Sequence, residues 1–425
     1  MSVPARLDIL IVNQFFTPEM GAPAARFQDF GRLLVERGHR VQIITGFPNS
    51  PSGIIPEVYR GRLRQRETID GVEVSRGWIY ASPRLSSWTK SAGFVSFALS
   101  ASLWSAFGRF SSDVVISTSP PPSVGIPGMI AARRLGVPMV FDVRDIWPEA
   151  IAESGRLRSP RLIRILETIE KNIYERAAAI TVVTDGKRER LIEKGVPAEK
   201  IRVVPNGVDL SRFEDIPQDR TAVLRELGLD PGGFVVVYAG IFNPPQGLDV
   251  LLEAAKILQA DEHAAATPIQ FALVGDGSER ARLAQRVQNE GLSHVVQLVP
   301  EQPRERIPAI LSAASAIAVT LRKRRDTHTV PSKIYESMAS GRPVLVSADG
   351  APAQILLESR SGLASPAEDA PGLVQAILTL TRDPAEAVAM GQRGRQHAIR
   401  YDRRVLVERL EEVLYSVADA GSTAP

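Results

Sequence analysis

Short β-branched apolar runs alternate with helix-period segments along the whole chain, the pattern of βα units whose parallel strands are covered on both faces. Ile9 to Val12 predicts a first strand. Phe27, Phe30, Leu33 and Leu34 then recur at helical spacing, Gly38 ends that helix, and Val41 to Thr45 reads as the next strand. Further buried strands are expected at Val114 to Ser117, Met139 to Val143 and Ile180 to Val183. Leu162, Leu166, Ile169 and Ile173 mark one face of a long helix before the last of these.

Turn chemistry at Pro205, Asn206 and Gly207, followed by a polar non-periodic stretch, places a domain boundary there. The βα rhythm then resumes with strands at Val235 to Ala239, Phe271 to Val274, Val295 to Val299, Ile317 to Leu321 and Val344 to Ser347. Two doubly wound α/β domains are predicted, over 1–205 and 206–400. An amphipathic last helix is expected within 401–417, returning toward the first domain, and a disordered tail over 418–425. Open α/β sheets take ligands beyond the carboxyl ends of their strands, so functional residues are expected on strand-to-helix loops facing a central cleft.

Composition narrows the classes. The chain has 425 residues, 44% of them apolar, which suits two globular domains. Lys plus Arg total 51 against 48 Asp plus Glu, a near balance that gives no argument for nucleic acid. The absence of cysteine removes disulfides, thiolate nucleophiles and Cys-ligated metals. The N-terminus lacks the pattern of a signal peptide, so a cytoplasmic location is expected.

The strongest loop runs from Thr327 to Glu336. Pro331 suits a first helical turn, and Ser332 and Glu336 share one helix face. Lys333 brings a positive charge to a phosphate-attracting turn, and Glu336 stands where a carboxylate accepts hydrogen bonds from ribose hydroxyls. The alternative is an ordinary capped helix with a solvated lysine. Gly275, Asp276 and Gly277 form a small-residue turn after a strand, suited to lie against a nucleoside.

In the first half, Gly21 and Ala22 follow the first strand and let backbone approach a ligand. No G-x-G-x-x-G stands there, which argues against a dinucleotide fingerprint. Arg144, Asp145, Trp147 and Glu149 crowd the end of the strand at Val143: Asp145 suits proton or hydrogen-bond acceptance from a hydroxyl, and Trp147 either stacks on a sugar or fills the core.

The strings FFTPEMGAPAARF, FDVRDIWPE, IRVVPNGVD, QGLDVLLEAA, LVGDGSERARL and VPSKIYESMASGRPVL together resemble family 4 of the glycosyltransferases. The resemblance runs from the first strand to the last helix. It implies the GT-B fold of two Rossmann-like domains, metal-independent transfer with no cofactor, and retention of anomeric configuration. More narrowly, the chain resembles the bacterial surface-polysaccharide branch that includes N-acetyl-fucosamine transferases. That implies a nucleoside-diphosphate sugar donor, UDP-linked, with an N-acetylated aminosugar among the candidate sugars, and an undecaprenyl-diphosphate-linked acceptor.

By motif, Gly21 and Ala22 match the family's glycine loop near the donor diphosphate, and Glu336 its ribose-binding glutamate. The family's earlier glutamate falls on His328. Its Arg and Lys pair after the first strand of the second domain falls on Ile241 and Gln246. The resemblance therefore shifts diphosphate neutralisation to Lys333 and Arg322. Asp145, His328 and Lys333 are the catalytic candidates, with Arg144, Trp147 and Glu149 toward acceptor or sugar. A GT-B epimerase and a non-catalytic nucleotide-sugar-binding regulator are the competing readings.

Ser91 to Phe107 is uncharged but short and serine-rich for a spanning helix. With Arg60, Arg62, Arg64 and Arg66 nearby, it reads as lying on anionic lipid at the inner leaflet, through Arg60, Arg62, Arg64, Phe94, Phe97 and Trp104. The alternative is a partly buried core helix beside a solvated strand.

Overall fold

A computed structural model describes residues 6–19, 21–50, 52–84, 86–149, 151, 159–216, 219–260, 268–324 and 327–422. The chain forms two compact units, Met1–Asn206 with Arg403–Pro425, and Gly207–Asp402.

Unit 1 contains strands β1 (Asp8–Val12), β2 (Arg40–Gly46), β3 (Arg64–Ile69), β4 (Val72–Gly77), β5 (Val114–Ser119), β6 (Met139–Val143), β7 (Ala179–Val182) and β8 (Ile201–Val203). Its helices are α1 (Ala22–Glu36), α2 (Ser87–Phe107), α3 (Gly125–Leu135), α4 (Pro160–Arg176) and α5 (Asp185–Glu193). The sheet order is β3-β4-β2-β1-β5-β6-β7-β8. β1 pairs in parallel with both β2 and β5, so strand order reverses there. Among the described strands of unit 1 only β3 runs antiparallel, from Arg64 opposite Gly77 to Ile69 opposite Val72. This hairpin escapes the search for apolar runs because β3 (RQRETI) is a polar edge strand.

Unit 2 contains α6 (Arg220–Glu226), β9 (Phe234–Ala239), α7 (Asp249–Gln259), β10 (Ile269–Val274), α8 (Arg280–Asn289), β11 (Val296–Val299), α9 (Ile307–Ala313), β12 (Ala316–Thr320), α10 (Lys333–Ala339), β13 (Val344–Ser347), α11 (Ala351–Ser359), β14 (Gly362–Ser365), α12 (Ala370–Arg382) and α13 (Pro384–Ala398). The parallel sheet is ordered β11-β10-β9-β12-β13-β14, with its switch point between β9 and β12. Both faces are apolar, Phe271 and Leu273 on one and Ala272 and Val274 on the other, which is why its strands read as continuous hydrophobic runs.

The last helix, α14 (Arg403–Ser422), belongs to unit 1. Leu406, Leu410 and Leu414 pack in one core with Phe27 and Phe30 of α1. Glu411 accepts hydrogen bonds from Arg37 at 2.7 Å and stands 2.6 Å from Nε2 of the buried His39. The helix continues through 418–422, where a disordered tail was expected; residues 423–425 lie outside those described.

Candidate donor and acceptor sites

In unit 2 the loops after β9 and β10 interlock. A Cβ on Gly275 would stand 2.0 Å from the Gly240 carbonyl oxygen, and one on Gly277 would stand 2.3 Å from that of Phe242. Gly275, at φ +147°, and Gly277, at φ +151°, therefore serve a backbone-to-backbone approach. The main-chain amide of Phe242 donates to the carbonyl of Asp276 at 2.8 Å, fastening the two loops. Asp276 is itself exposed and accepts from the Gly277 amide at 2.6 Å.

Lys333 enters this loop pair from α10. Its Nζ donates to the Tyr238 hydroxyl at 2.6 Å and to Gln246 Oε1 at 2.7 Å, and lies 3.9 Å from the Tyr238 ring centre. The ordinary alternative of a solvated lysine is excluded. These two bonds use two of the three ammonium donors. Burial pushes the Lys333 ammonium down to about 7, with Glu336 pulling the other way. The same burial pushes the Tyr238 hydroxyl well up, so it serves Lys333 as a neutral acceptor.

Glu336 lies one turn along α10. Burial raises its carboxyl above the ordinary range, opposed by the charges of Arg304, Arg212 and Lys333. The two arginines come from the loops after β11 and after β8 and were not singled out in the sequence. Arg212 holds Asp209 at 3.7 Å. Neither carries a spacing signal, because the fold alone brings their loops to α10.

The remaining unit 2 candidates are placed differently. Arg322 is exposed and paired with Asp249 at 3.6 Å and Glu368 at 3.8 Å, so its charge is already shared between two carboxylates. His328 is exposed on the loop before α10. Ser332 stands at the N-cap of α10 without a side-chain capping bond. Ile241 is 43% exposed, an apolar surface where the resemblance implies a cation.

In unit 1, Gly21 opens α1 at φ +121°, with only Pro23 Cδ within 4 Å of a built Cβ. Glycine is needed there for the backbone angle, not for space. Ala22 is the first residue of α1. The neighbouring Glu19 accepts from the amides of Asn49 and Ser50 at 2.8 and 2.9 Å, knitting together the loops after β1 and β2. Burial pushes its carboxyl up to about 7.

The loop after β6 gives its charged and aromatic side chains partners within unit 1. Arg144 is buried, and its Nε donates to Thr118 Oγ1 at 3.0 Å and to the Ser119 carbonyl at 3.2 Å, so it braces the end of β5. Burial lowers its guanidinium to about 10, with Asp142 and Asp145 opposing. Glu149 takes a two-pronged bond from Arg190 at 3.0 and 3.1 Å and lies 3.3 Å from Lys194. It fastens its loop to α5 and the segment after it. Trp147 packs edge-on against Phe94 of α2 at 5.9 Å. Asp145, 39% exposed at its side chain, holds the buried Lys187 at 2.8 Å.

Among the described residues no cluster of three or more His, Asp or Glu side chains is arranged for a metal ion.

Residues 21–207 match the glycosyl transferase 4-like domain, and residues 219–397 match the glycosyl transferases group 1. The putative colanic acid biosynthesis glycosyl transferase WcaI of Escherichia coli K12 is 26% identical over 81% of this chain and 84% of its own. Among solved structures, sucrose-phosphate synthase of Thermosynechococcus elongatus superposes with a TM-score of 0.76 at 20% identity, over 98% of this chain and all of that one. HepE of Anabaena, in complex with UDP-glucose, gives 0.71 at 18% identity, over 97% of this chain and all of that one.

Two switched parallel sheets with loop-borne polar groups at their carboxyl ends thus define a glycosyltransferase of the GT-B fold. Its two domains match the glycosyltransferase models in succession, and the chain belongs to family 4.

Proposed function

We propose that this enzyme transfers a sugar, with retention of configuration, from a UDP-linked donor to a lipid-linked saccharide during bacterial surface-polysaccharide assembly. One observation carries the donor reading. At the β9/β12 switch point, Lys333 stands beside Gln246 with a donor to spare, while Glu336 lies one turn on in the field of Arg212 and Arg304. The Lys333 ammonium neutralises the departing diphosphate, and Glu336 accepts the ribose hydroxyls. In a front-face displacement the acceptor oxygen bonds to the anomeric carbon as the phosphate oxygen leaves, and that phosphate takes the hydroxyl proton. Protein groups then act by position and charge.

The UDP preference is supported by the HepE complex with UDP-glucose, and the polysaccharide setting by the description of WcaI. The sugar is a hexose or an N-acetylhexosamine, the latter including N-acetyl-fucosamine. A thermal-shift screen across nucleoside diphosphates and their sugars, followed by transfer to lipid-linked acceptor, tests this: UDP compounds raise the melting temperature and yield a lipid-linked product. Free sugar as the only product, or binding without turnover, would refute transfer.

A further inference from the structure

The apolar run in α2 does not present the face expected from sequence. Phe97 is fully buried, against Gly46 and in one core with Ile79. Trp104 is half-buried against Phe110, with the Arg66 guanidinium 5.3 Å above its ring, and Phe94 faces Trp147. The small polar residues turn inward too: Ser96 accepts from the Tyr80 amide at 2.8 Å, and Ser105 is buried.

What points outward is Trp88, Val95, Leu99, Leu103 and Phe107, with Trp88 77%, Leu99 65% and Phe107 81% exposed. At about 100° per residue these five fall within an arc of about 120°, and they run about 28 Å along the helix. Such a stripe is larger than a monomer ordinarily leaves in water. Trp78 and Tyr80, partly exposed, lie beside it, since the Trp78 carbonyl accepts from Ser100 of α2 at 2.6 Å.

Charge selects the occupant. No Asp or Glu occurs between Glu73 and Asp113, whereas Arg84, Lys90 and Arg109 flank the stripe and are exposed. Exposed Arg62 and Arg64 continue the positive edge at β3, next to the Arg66 that covers Trp104. A two-fold pairing of this face would bring like charges together. An anionic bilayer satisfies both the apolar stripe and its basic border. Among the described residues no helix is long and apolar enough to cross a membrane.

We propose that unit 1 docks on an anionic phospholipid bilayer through the Trp88 to Phe107 face of α2. This deepens the lipid-linked acceptor reading by naming the surface that would meet the lipid. Its test contains neither donor nor acceptor, so it succeeds or fails separately from transfer.

The full chain is sedimented with phosphatidylcholine vesicles, plain or carrying about 30% phosphatidylglycerol. Wild type is expected to pellet with the anionic vesicles at low salt, much less with plain ones, and to be released by salt. Leu99→Glu with Leu103→Glu is expected to lower partitioning about tenfold or more, with an unchanged melting temperature because both side chains are exposed. Arg62→Glu with Arg64→Glu should remove the preference for anionic lipid. Wild type left in the supernatant, a stripe variant that pellets like wild type, or a lipid-free dimer that the stripe variant splits into monomers would each overturn the proposal.

Discussion

Lys333 Nζ lies 2.7 Å from Gln246 Oε1, joining the helix after β12 to the loop after β9. Gln246 occupies the place where the family resemblance implies a lysine, so this chain brings its ammonium to that place from α10.

If the location of that charge is what matters, Lys333→Ala should reduce transfer about tenfold or more, about 1.4 kcal/mol in barrier. The paired exchange Lys333→Gln with Gln246→Lys should recover more activity than Lys333→Gln alone. Steady-state kinetics of the three variants decide this, and an exchange no better than the single change would place the functional charge elsewhere.

The depressed Lys333 ammonium predicts a pH dependence. With its value at about 7 in the free enzyme, a neighbouring diphosphate favours the charged form and raises it. The affinity gain is therefore fully present below about pH 7 and is lost as pH rises, by up to about tenfold per pH unit until the bound-state value is passed. Calorimetry at pH 8 in two buffers of different ionisation enthalpy should register proton uptake on UDP binding. Lys333→Met should abolish both the uptake and the slope.

Gly275→Ala should be severe without touching a ligand. Its Cβ would collide with the Gly240 carbonyl, at a backbone angle that side chains resist. A loss on the order of 2–4 kcal/mol is expected in urea unfolding. Gly21→Ala, which has open space, should lose less, through the backbone angle alone.

The junction of α14 with α1 makes a stability prediction. Glu411 is nearly buried and faces Arg37 and His39. Burial alone would raise its carboxyl, yet the bonds from those partners hold it below the usual range. Its contribution is present above the unfolded carboxyl value and is lost as pH falls through the lower folded one. Glu411→Ala should cost about 3 kcal/mol at neutral pH, measured by denaturant unfolding, and less in acid.

The parallel strands were legible because both faces are covered, so β9 (FVVVYA) stands out as an unbroken apolar run. The β3/β4 hairpin and the inner face of α2 were not. β3 is polar at an edge, and α2 is apolar nearly all round, so its pattern names no buried side. At the candidate donor site, Lys333 and Glu336 were singled out from their motif. Their surroundings were not, since Tyr238 arrives from β9 and Arg212 and Arg304 from loops, all distant in sequence. Arg144 and Glu149 were singled out because charge at a strand end signals chemistry; the partners each holds within unit 1 carry no sequence signal.

The placement of the donor is tested most directly by titrating UDP calorimetrically into wild type and Glu336→Gln at pH 7. Saturable binding to wild type, weakened about tenfold or more in the variant with no change in melting temperature, is the predicted result. Equal affinity in both proteins would contradict a ribose site on α10.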